Sequence, residues 1–508
     1  MELFSEEDNY VAIIGRPSKR KLKEVEEEER NFIKNRKEEL GVEGLAKSAR
    51  ILKEAKETND ALAVPEEVLA AIPIPSVDSV KLPKVPLMQS QHLIPDPNFQ
   101  LTEDASSLEN QIHASTLPYA IQMGQYDSTF IKLKANVHLS ELKEDLKRYL
   151  ALYEALVFNT DVKRGNETVS HEEIDPELQR ETNSVSCSFD NDKGIITFSV
   201  MVEKGKFFQG LQYLREALTQ QIFTKERLQH RLTTFKNSLA VRLTNSWLVV
   251  EEVMTPLIVT QNSNRALLSF LSQYEVITSI ADDLDKNEAR ETLKKFKEIT
   301  DFITNPKRVI FHIAGDVAFV VKNLEKSRSK DLEMVLDKYF GDRFKLSPGD
   351  DLPKTSPCMA YRPFSDYRLA PNTLNAKVKV DGIGTEKTAT MSMISPVENC
   401  GAGKCVELSD EDSDHSTLLI ITHYFNLMDG PLFEKIRGQG LAYHYGFNYN
   451  TQTRFLNFYA DRALDVIRIY EEVKNFVDVL TQDDDGLNDV SMAEKPSLQR
   501  ISIIPSWP

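Results

Sequence analysis

Two hairpins of alternating apolar and polar residues constrain the fold of this 508-residue chain more than any other feature. The first spans 185–202 and turns at 190–194; the second spans 443–459 and turns at 450–453. Alternation with a period of two is typical of strands that bury one face. The sequence therefore predicts two antiparallel hairpins, far apart in the chain.

The first hairpin lies among segments with helical spacing. A strand is predicted at 130–137, followed by a helix whose apolar residues run from Leu142 to Leu156 and which Ser140 is placed to cap. Several amphipathic helices follow the hairpin between Lys206 and Phe302 and are expected to cover one face of a sheet. The order is strand, helix, hairpin, helix.

The second hairpin has the same surroundings without the long helical insert. Strands are predicted at 376–380 and 389–394, and a helical stretch within 415–437. A final helix is predicted with one apolar face formed by Leu464, Ile467, Tyr470, Val473, Phe476 and Leu480. The repeated order predicts an α+β fold of two homologous strand-helix-hairpin-helix modules.

Composition shifts divide the chain further. Seven prolines fall between 65 and 97, where their fixed φ and missing N–H favour an extended linker. A short apolar strand at 10–14 and a charged helix from Lys19 to Leu40 precede it. We predict five segments: a strand-helix remnant of a further domain (1–64), a Pro-rich linker (65–112), the first module (113–342), the second, truncated module (343–481) and a disordered tail (482–508).

Charge and cysteine content exclude several classes of protein. The chain has 62 basic and 78 acidic residues, a net charge of -16, which disfavours nucleic acid and anionic membranes as partners. Four scattered cysteines do not form a disulfide framework and favour a reducing compartment. The N-terminus is acidic, unlike a signal or transit peptide, and no apolar run spans a bilayer. We therefore expect a cytoplasmic protein without a membrane span.

The motifs that bind metals and phosphates are missing. Neither H-E-x-x-H nor H-x-x-E-H occurs, and the string 171–175 (HEEID) lacks a second His, so a solvated loop is expected there. Cys400 and Cys405 are interpreted as ordinary thiols. The segment 401–404 (GAGK) is interpreted as a Gly-containing loop, because Glu398 stands where a phosphate loop needs its first Gly. We expect no metal, no cofactor and no complete catalytic set in this chain.

One contiguous run carries a family resemblance. Residues 430–444, GPLFEKIRGQGLAYH, resemble the GPL(W/F)xxIRGxGLAYG signature in the C-terminal half of the insulinase-like (pitrilysin) zinc metallopeptidases, in the branch of the presequence protease. The resemblance implies that the two modules correspond to domains three and four of such peptidases and that 1–64 is a remnant of the second domain. It also implies that zinc belongs to an N-terminal half.

The same resemblance indicates two site residues. Arg437 and Tyr443 occupy the positions of an Arg and a Tyr that support the active site in this family. A guanidinium can hold a substrate carbonyl or carboxylate, and a phenol can donate to a developing oxyanion. Without the resemblance, Arg437 is equally a cation at a helix C-terminus and Tyr443 an aromatic on a half-buried strand. His444 departs from the family's Gly, and Gly440 is expected to serve a turn.

These observations predict the C-terminal, non-zinc-binding half of an insulinase-like metalloendopeptidase, which forms one wall of a peptide-binding chamber and is inactive alone. Its partners would be a peptide substrate or a zinc-bearing N-terminal half. Two alternatives remain: a non-enzymatic interaction module derived from that family, or a fragment of a longer active zinc metallopeptidase. An upstream H-x-x-E-H would favour the last of these.

Overall fold

The computed structural model of the protein describes most of the chain in two units, Met1–Pro75 and Ser76–Pro508. The described residues are 18–60, isolated positions between 65 and 90, 115–259, 263–326, 332–346, 399–407, 415–428, 430–450 and 455–482. The predicted strands at 10–14, 376–380 and 389–394 lie outside them. The predicted domain boundaries stay predictions.

The described part of the first unit is dominated by one long helix, α1 (Lys19–Asp60). The helix is interrupted at Gly41 (φ 60°), directly after Leu40, where the charged helix was predicted to end, and a second helical stretch continues to Asp60. Apolar side chains along α1 are exposed, Phe32 by 69%. Glu and Lys three or four residues apart pair along its surface, as between Lys21 and Glu24. Each such exposed pair contributes little to stability.

The second unit is a mixed α+β structure, as the sequence predicts. Its described strands are β1 (Leu87–Gln89), β2 (Ala120–Gln125), β3 (Phe130–His138), β4 (Asp161–Arg164), β5 (Glu167–Val169), β6 (Ser184–Asp190), β7 (Ile195–Glu203), β8 (Gln221–Ile222), β9 (Val309–Gly315), β10 (Cys400–Glu407), β11 (Ala442–Asn450) and β12 (Phe455–Ala463). Its described α-helices are α2 (Glu144–Lys147), α3 (Leu150–Leu156), α4 (His171–Glu181), α5 (Phe207–Thr219), α6 (Lys225–Arg242), α7 (Ser246–Ile258), α8 (Asn264–Leu267), α9 (Phe270–Asn287), α10 (Arg290–Ile303), α11 (Val317–Lys326), α12 (Leu332–Phe340), α13 (His415–Phe425) and α14 (Val466–Gln482).

A six-stranded sheet of order β1-β2-β9-β3-β7-β6 forms the larger core. The first predicted hairpin is β6 and β7, which pair antiparallel with Val185 opposite Val200. Strand β3 alternates as the sequence predicts: Ile131 and Leu133 are buried, whereas Lys132 and Lys134 are only partly buried. Helix α5 packs its buried leucines into the same core, so the apolar face of the sheet is covered by helices.

The helix predicted to begin at Ser140 starts later. Residues 140–143 form a turn, and the helical segment is divided into α2 and α3. Leu139 and Leu142 are both buried, and the Leu142 amide donates to the Leu139 carbonyl at 3.0 Å. Burying these two side chains bends the chain before the helix begins, so the Ser140 cap does not form.

The string 171–175 is the first turn of α4 and not the expected loop. The His171 amide donates to the Asp161 carboxylate at 2.9 Å, and the His171 Nδ1 lies 3.3 Å from the same oxygen. Ile174 and Leu178 then face the core. A loop was expected here because most residues of this string are acidic. That expectation did not use the spacing of Ile174 and Leu178, which lie four positions apart on one helix face.

A three-stranded antiparallel sheet of order β10-β12-β11 forms the second core. The second predicted hairpin is β11 and β12, with Phe447 opposite Phe458. Helix α14 and the π-helical turn Phe433–Gly438 pack in one apolar cluster with residues of this hairpin. Helix α7 of the larger core packs against β10 and β12, where the rings of Trp247 and Tyr459 are 4.5 Å apart.

The segment 401–404, expected as a loop, lies within strand β10. A Cβ at Gly403 would overlap the Met254 Sδ and lie 3.0 Å from Val250 Cγ1. A Cβ at Gly401 would lie 2.9 Å from Val250 Cγ2. The two glycines therefore let α7 approach the strand closely, which is a packing role and not phosphate binding.

Replacing Gly403 by Ala tests this contact. We expect the change to destabilise the protein by about 1 to 3 kcal/mol, because the added methyl group overpacks the α7 interface. Combining Gly403→Ala with Met254→Ala should cost less than the sum of the two single changes, since the second removes the clashing side chain. Denaturant unfolding of the four proteins measures the coupling, and strict additivity would contradict the proposed contact.

The apolar face of the last helix differs from the predicted one. Ile469 and Val473 are buried, whereas Ile467 is 70% exposed and Leu464 precedes the helix. The Asp465 carboxylate accepts from the amides of residues 467 and 468, which fixes the start of α14. Val473 and Phe476 pack inward as predicted, so the inward-facing stripe differs from the predicted one at its start, where Ile469 is buried and Ile467 is not.

Burial also sets the protonation of His312 on β9. Burial, with the Lys134 ammonium nearby, lowers the pKa of His312 from 6.5 to about 4. The unfolded chain therefore takes up a proton at this position between pH 6.5 and 4 that the folded chain does not. We therefore expect the free energy of unfolding to decrease as the pH is lowered from 6.5 to 4. The variant His312→Gln should show a flatter dependence of stability on pH over this range. Unfolding measured at several pH values checks it; an unchanged slope in the variant would contradict it.

Candidate functional site

The π-helical turn Phe433–Gly438 positions the first predicted site residue. Leu432 and Ile436 are fully buried and anchor the turn in the second core. The chain then reverses at Gly440, whose φ of 69° favours glycine. There the Gly440 amide donates to the Arg437 carbonyl at 3.0 Å, and the next amide donates to the Ile436 carbonyl at 2.9 Å. This tight reversal brings the end of the turn beside the start of β11.

Arg437 and Tyr443 are in contact. The Arg437 guanidinium carbon lies 4.7 Å from the centre of the Tyr443 ring, and 5.5 Å from that of Phe433. Tyr443 is 51% exposed and lies near the start of strand β11, so its ring is accessible from solvent. The structure thus places both predicted residues together at one accessible position, where a bound molecule can reach them.

A third residue, which the sequence analysis missed, completes the cluster. Arg462 on β12 lies across from Tyr443 in the hairpin, with its guanidinium carbon 5.6 Å from the centre of the ring. The flanking pairs are Ala442 with Ala463 and His444 with Asp461. The predicted turn at 450–453 would place Ala460 opposite Tyr443, whereas the observed pairing begins at Asn450 with Phe455 and places Arg462 there, so the register could not be taken from the predicted turn.

His444, where the family has Gly, has a partner of its own. Its Nδ1 lies 3.1 Å from the Asp461 Oδ1, and the Asp461 carboxylate is buried. The His444 ring also meets the Tyr443 ring edge-on, with centres 4.6 Å apart. The substitution therefore adds a polar contact across the hairpin and one wall beside Tyr443.

Tyr445 lies behind the cluster on the same strand. Its hydroxyl is buried without a hydrogen-bond partner within the described ranges. Burial raises the pKa of Tyr445 to about 12, although the nearby Arg437 acts in the opposite direction. The phenol is therefore neutral at physiological pH and able to donate a hydrogen bond.

The guanidinium and phenol donors of the cluster have the chemistry that suits an anion or a carbonyl oxygen. In the part of the chain that the structure describes, no carboxylate lies within ion-pair distance of the guanidinium of Arg437 or Arg462. No group of three or more His, Cys, Asp or Glu side chains there is arranged to hold a metal ion. These residues do not fit a zinc site, and no zinc-dependent step follows from them. Nor is any described helix long and apolar enough to cross a bilayer.

Comparison with known sequences finds relatives in two yeasts. The chain is 20% identical over 491 residues to the uncharacterized protein C3H1.02c of Schizosaccharomyces pombe. It is 20% identical over 483 residues to the uncharacterized protein YOL098C of Saccharomyces cerevisiae. These matches cover 93% and 92% of this chain, but it spans only 44% of the length of each relative. No protein-family profile matches the chain.

Comparison with solved structures finds proteases and a related inactive domain. A protease from Helicobacter pylori has a TM-score of 0.48 at 13% identity, over 76% of this chain and 81% of that one. The periplasmic protease PqqL from Escherichia coli gives the same score and identity over 75% of this chain and 37% of its own. A peptidase M16 inactive domain from Pseudomonas fluorescens has a TM-score of 0.46 at 10% identity, over 76% and 85%.

Proposed function

We propose that this chain is the C-terminal, non-zinc-binding half of an insulinase-like metallopeptidase architecture, and that it binds extended peptides through the cluster around Tyr443. The observation that carries the proposal is the contact between Arg437 and Tyr443, at 4.7 Å, within the run 430–444 that resembles the family signature. The exposed ring and the absence of an ion-pair partner for Arg437 among the described residues support a role in binding.

The chemistry of the two residues suits a supporting part in amide hydrolysis. The Arg437 guanidinium would hold a peptide carbonyl or carboxylate through its planar donors. The Tyr443 phenol would donate to the oxyanion that develops when water adds to the carbonyl. Activation of that water belongs to a partner, which we propose is a zinc-bearing N-terminal half in the same cytoplasmic compartment.

A second candidate is a non-enzymatic interaction module built on the same half. The contact between His444 and Asp461 favours it, because a side chain occupies the position where the family has Gly. The presence of His444 beside Tyr443 narrows the space for a substrate strand. In this alternative the cluster binds a peptide segment of another macromolecule without any cleavage. A third candidate is a fragment of a longer active zinc metallopeptidase. In that case Arg437 and Tyr443 would have the same roles as in the first candidate.

The purified 508-residue chain provides the test. We expect it to bind an unstructured peptide, to contain far less than one zinc ion per chain, and to leave the peptide intact, because neither zincin motif occurs in its sequence. Fluorescence anisotropy, elemental analysis and mass spectrometry measure the three quantities. About one tightly bound zinc ion with chelator-sensitive cleavage would contradict the proposal, and so would failure to bind any peptide.

A further inference from the structure

Two positive charges flank one exposed ring in the second core. The guanidinium carbons of Arg437 and Arg462 lie 4.7 Å and 5.6 Å from the centre of the Tyr443 ring. Neither guanidinium is within ion-pair distance of a carboxylate among the described residues. The chain as a whole has a net charge of -16, whereas this cluster brings two positive charges to one side chain.

The backbone of Arg462 is strained. Its φ of 49° lies in the left-handed region, which a residue with a Cβ seldom adopts. Its amide donates to the Ser246 hydroxyl at 3.4 Å, so the strained conformation is tied to helix α7. The pairing of β12 with β10 shifts by one residue between Cys400 and Ala402, so Arg462 lies at a β-bulge, a feature that redirects a side chain.

We propose that Arg437 and Arg462 form a two-cation site around Tyr443 that binds the carboxylate group of an extended peptide. The proposal names the ligand chemistry of the site described above and rests on the proposed peptide binding. The sequence resemblance indicated Arg437 and Tyr443 only, and Arg462 is the added member. The carboxylate would come from the peptide's C-terminus or from an acidic side chain.

The geometry favours an anion over a neutral group. Stacking on an aromatic ring leaves the edge of a guanidinium, with its N–H donors, free for a planar carboxylate. The Tyr443 hydroxyl is a further donor in the same cluster.

Three peptides of one unstructured sequence test the proposal with the full chain. One is neutral with a C-terminal amide, one has a free C-terminal carboxylate, and one has an amide end and an internal Glu in place of Gln. At low salt we expect at least one acidic peptide to bind roughly 10- to 100-fold more tightly than the neutral one. The acidic peptide that shows the preference identifies the source of the carboxylate.

The variants assign the preference to the two arginines. Arg462→Gln and Arg437→Gln should each bring the ratio of the acidic peptide's affinity to the neutral peptide's affinity close to one. Arg462→Lys should retain part of the preference for the acidic peptide, because it keeps the positive charge. Arg468→Gln is the matched control. Arg468 is an exposed arginine on helix α14, but its guanidinium donates to the Gln439 side chain and does not contact the Tyr443 ring among the described contacts. That variant should keep the ratio of the parent protein.

The outcomes separate this inference from the proposed function. Equal binding of all three peptides, or an undiminished ratio in Arg462→Gln, would overturn the two-cation site and leave peptide binding standing. Absence of binding by all three would contradict both.

Arg462→Gly guards against a variant that merely fails to fold. Glycine accepts the left-handed backbone and keeps the amide that donates to Ser246. We expect its midpoint of denaturant unfolding to be unchanged or higher than that of the parent protein, with the carboxylate preference lost. Preference retained in this stable variant would overturn the proposal.

Discussion

Arg437→Ala and Tyr443→Phe should each lower turnover by roughly 100- to 1000-fold when this chain is combined with a zinc-bearing N-terminal half from a related peptidase. The expected loss corresponds to about 2.7 to 4 kcal/mol of transition-state stabilisation by a donor aimed at the developing oxyanion. The contact between the two side chains, at 4.7 Å, places both where they would reach the same peptide bond. The measurement is the catalytic constant of each mixture with one unstructured peptide.

Two matched controls in the same core separate this effect from a change of charge or ring. Arg468→Ala removes an exposed arginine, and Tyr470→Phe removes an exposed hydroxyl near Lys404 on β10. Both should keep the turnover of the parent mixture within about twofold, as surface changes usually do. Equal activity of all five mixtures would leave Arg437 and Tyr443 as parts of the fold. If none of the five mixtures is active, the result would favour the interaction module.

Arg164→Met should cost about 3 kcal/mol of stability, the largest loss that we expect from one polar residue. The Arg164 guanidinium lies 2.6 Å from the Glu216 carboxylate and 2.9 Å from that of Glu177. The Tyr213 hydroxyl donates to Glu177 at 2.9 Å, and Glu216 is only 3% exposed. Removing the cation leaves two carboxylates close together, one of them buried, without their positive partner. Denaturant unfolding measures the loss.

The stability that this cluster contributes depends on pH. The hydrogen bond from Arg164 lowers the pKa of Glu177 below its ordinary value of 4.5. Its contribution to stability is therefore complete at neutral pH and lost as the pH falls below 4.5. The acid-induced loss should be smaller in Arg164→Met. Adding Glu216→Gln to that variant should recover part of the stability at neutral pH.

Arg180→Gln is the control for this cluster. Arg180 lies on the same helix, α4, as Glu177 but pairs with Glu181 at the surface. The stability of this variant should stay close to that of the parent protein, because exposed ion pairs contribute little. A comparable loss of stability in Arg164→Met and Arg180→Gln would show that the Arg164 cluster stabilises the protein no more than an exposed ion pair does.

The sequence predicted the parts of the fold whose apolar periodicity is strong. Both hairpins and strand β3 were predicted, because each alternates with a period of two over most of its length. The predictions failed where tertiary packing decides the local conformation. Residues 401–404 form a strand because α7 packs against glycines, and nothing near them in the sequence indicates that helix. The apolar face of α14 differs from the predicted one at its start for a similar reason, since a cap at Asp465 sets where the helix begins.

The candidate site divides in the same way. Arg437 and Tyr443 were named from a contiguous motif, and the tight reversal at Gly440 that joins them was expected from the sequence. Arg462 required the register of the hairpin, and its left-handed backbone has no signature in the residues around it. The contact between His444 and Asp461 likewise crosses two strands. Contacts across a sheet depend on pairing, which a single sequence specifies only through its turns.

Photo-crosslinking of a bound peptide tests the central claim most directly. An unstructured peptide carrying a benzophenone group is irradiated with the full chain, and the attachment sites are mapped by mass spectrometry. The account predicts attachment within 433–444 and 459–463, the segments around Tyr443, with competition by the unlabelled peptide and a large decrease in Arg437→Ala. Attachment confined to other segments, or the same yield in the variant, would contradict it.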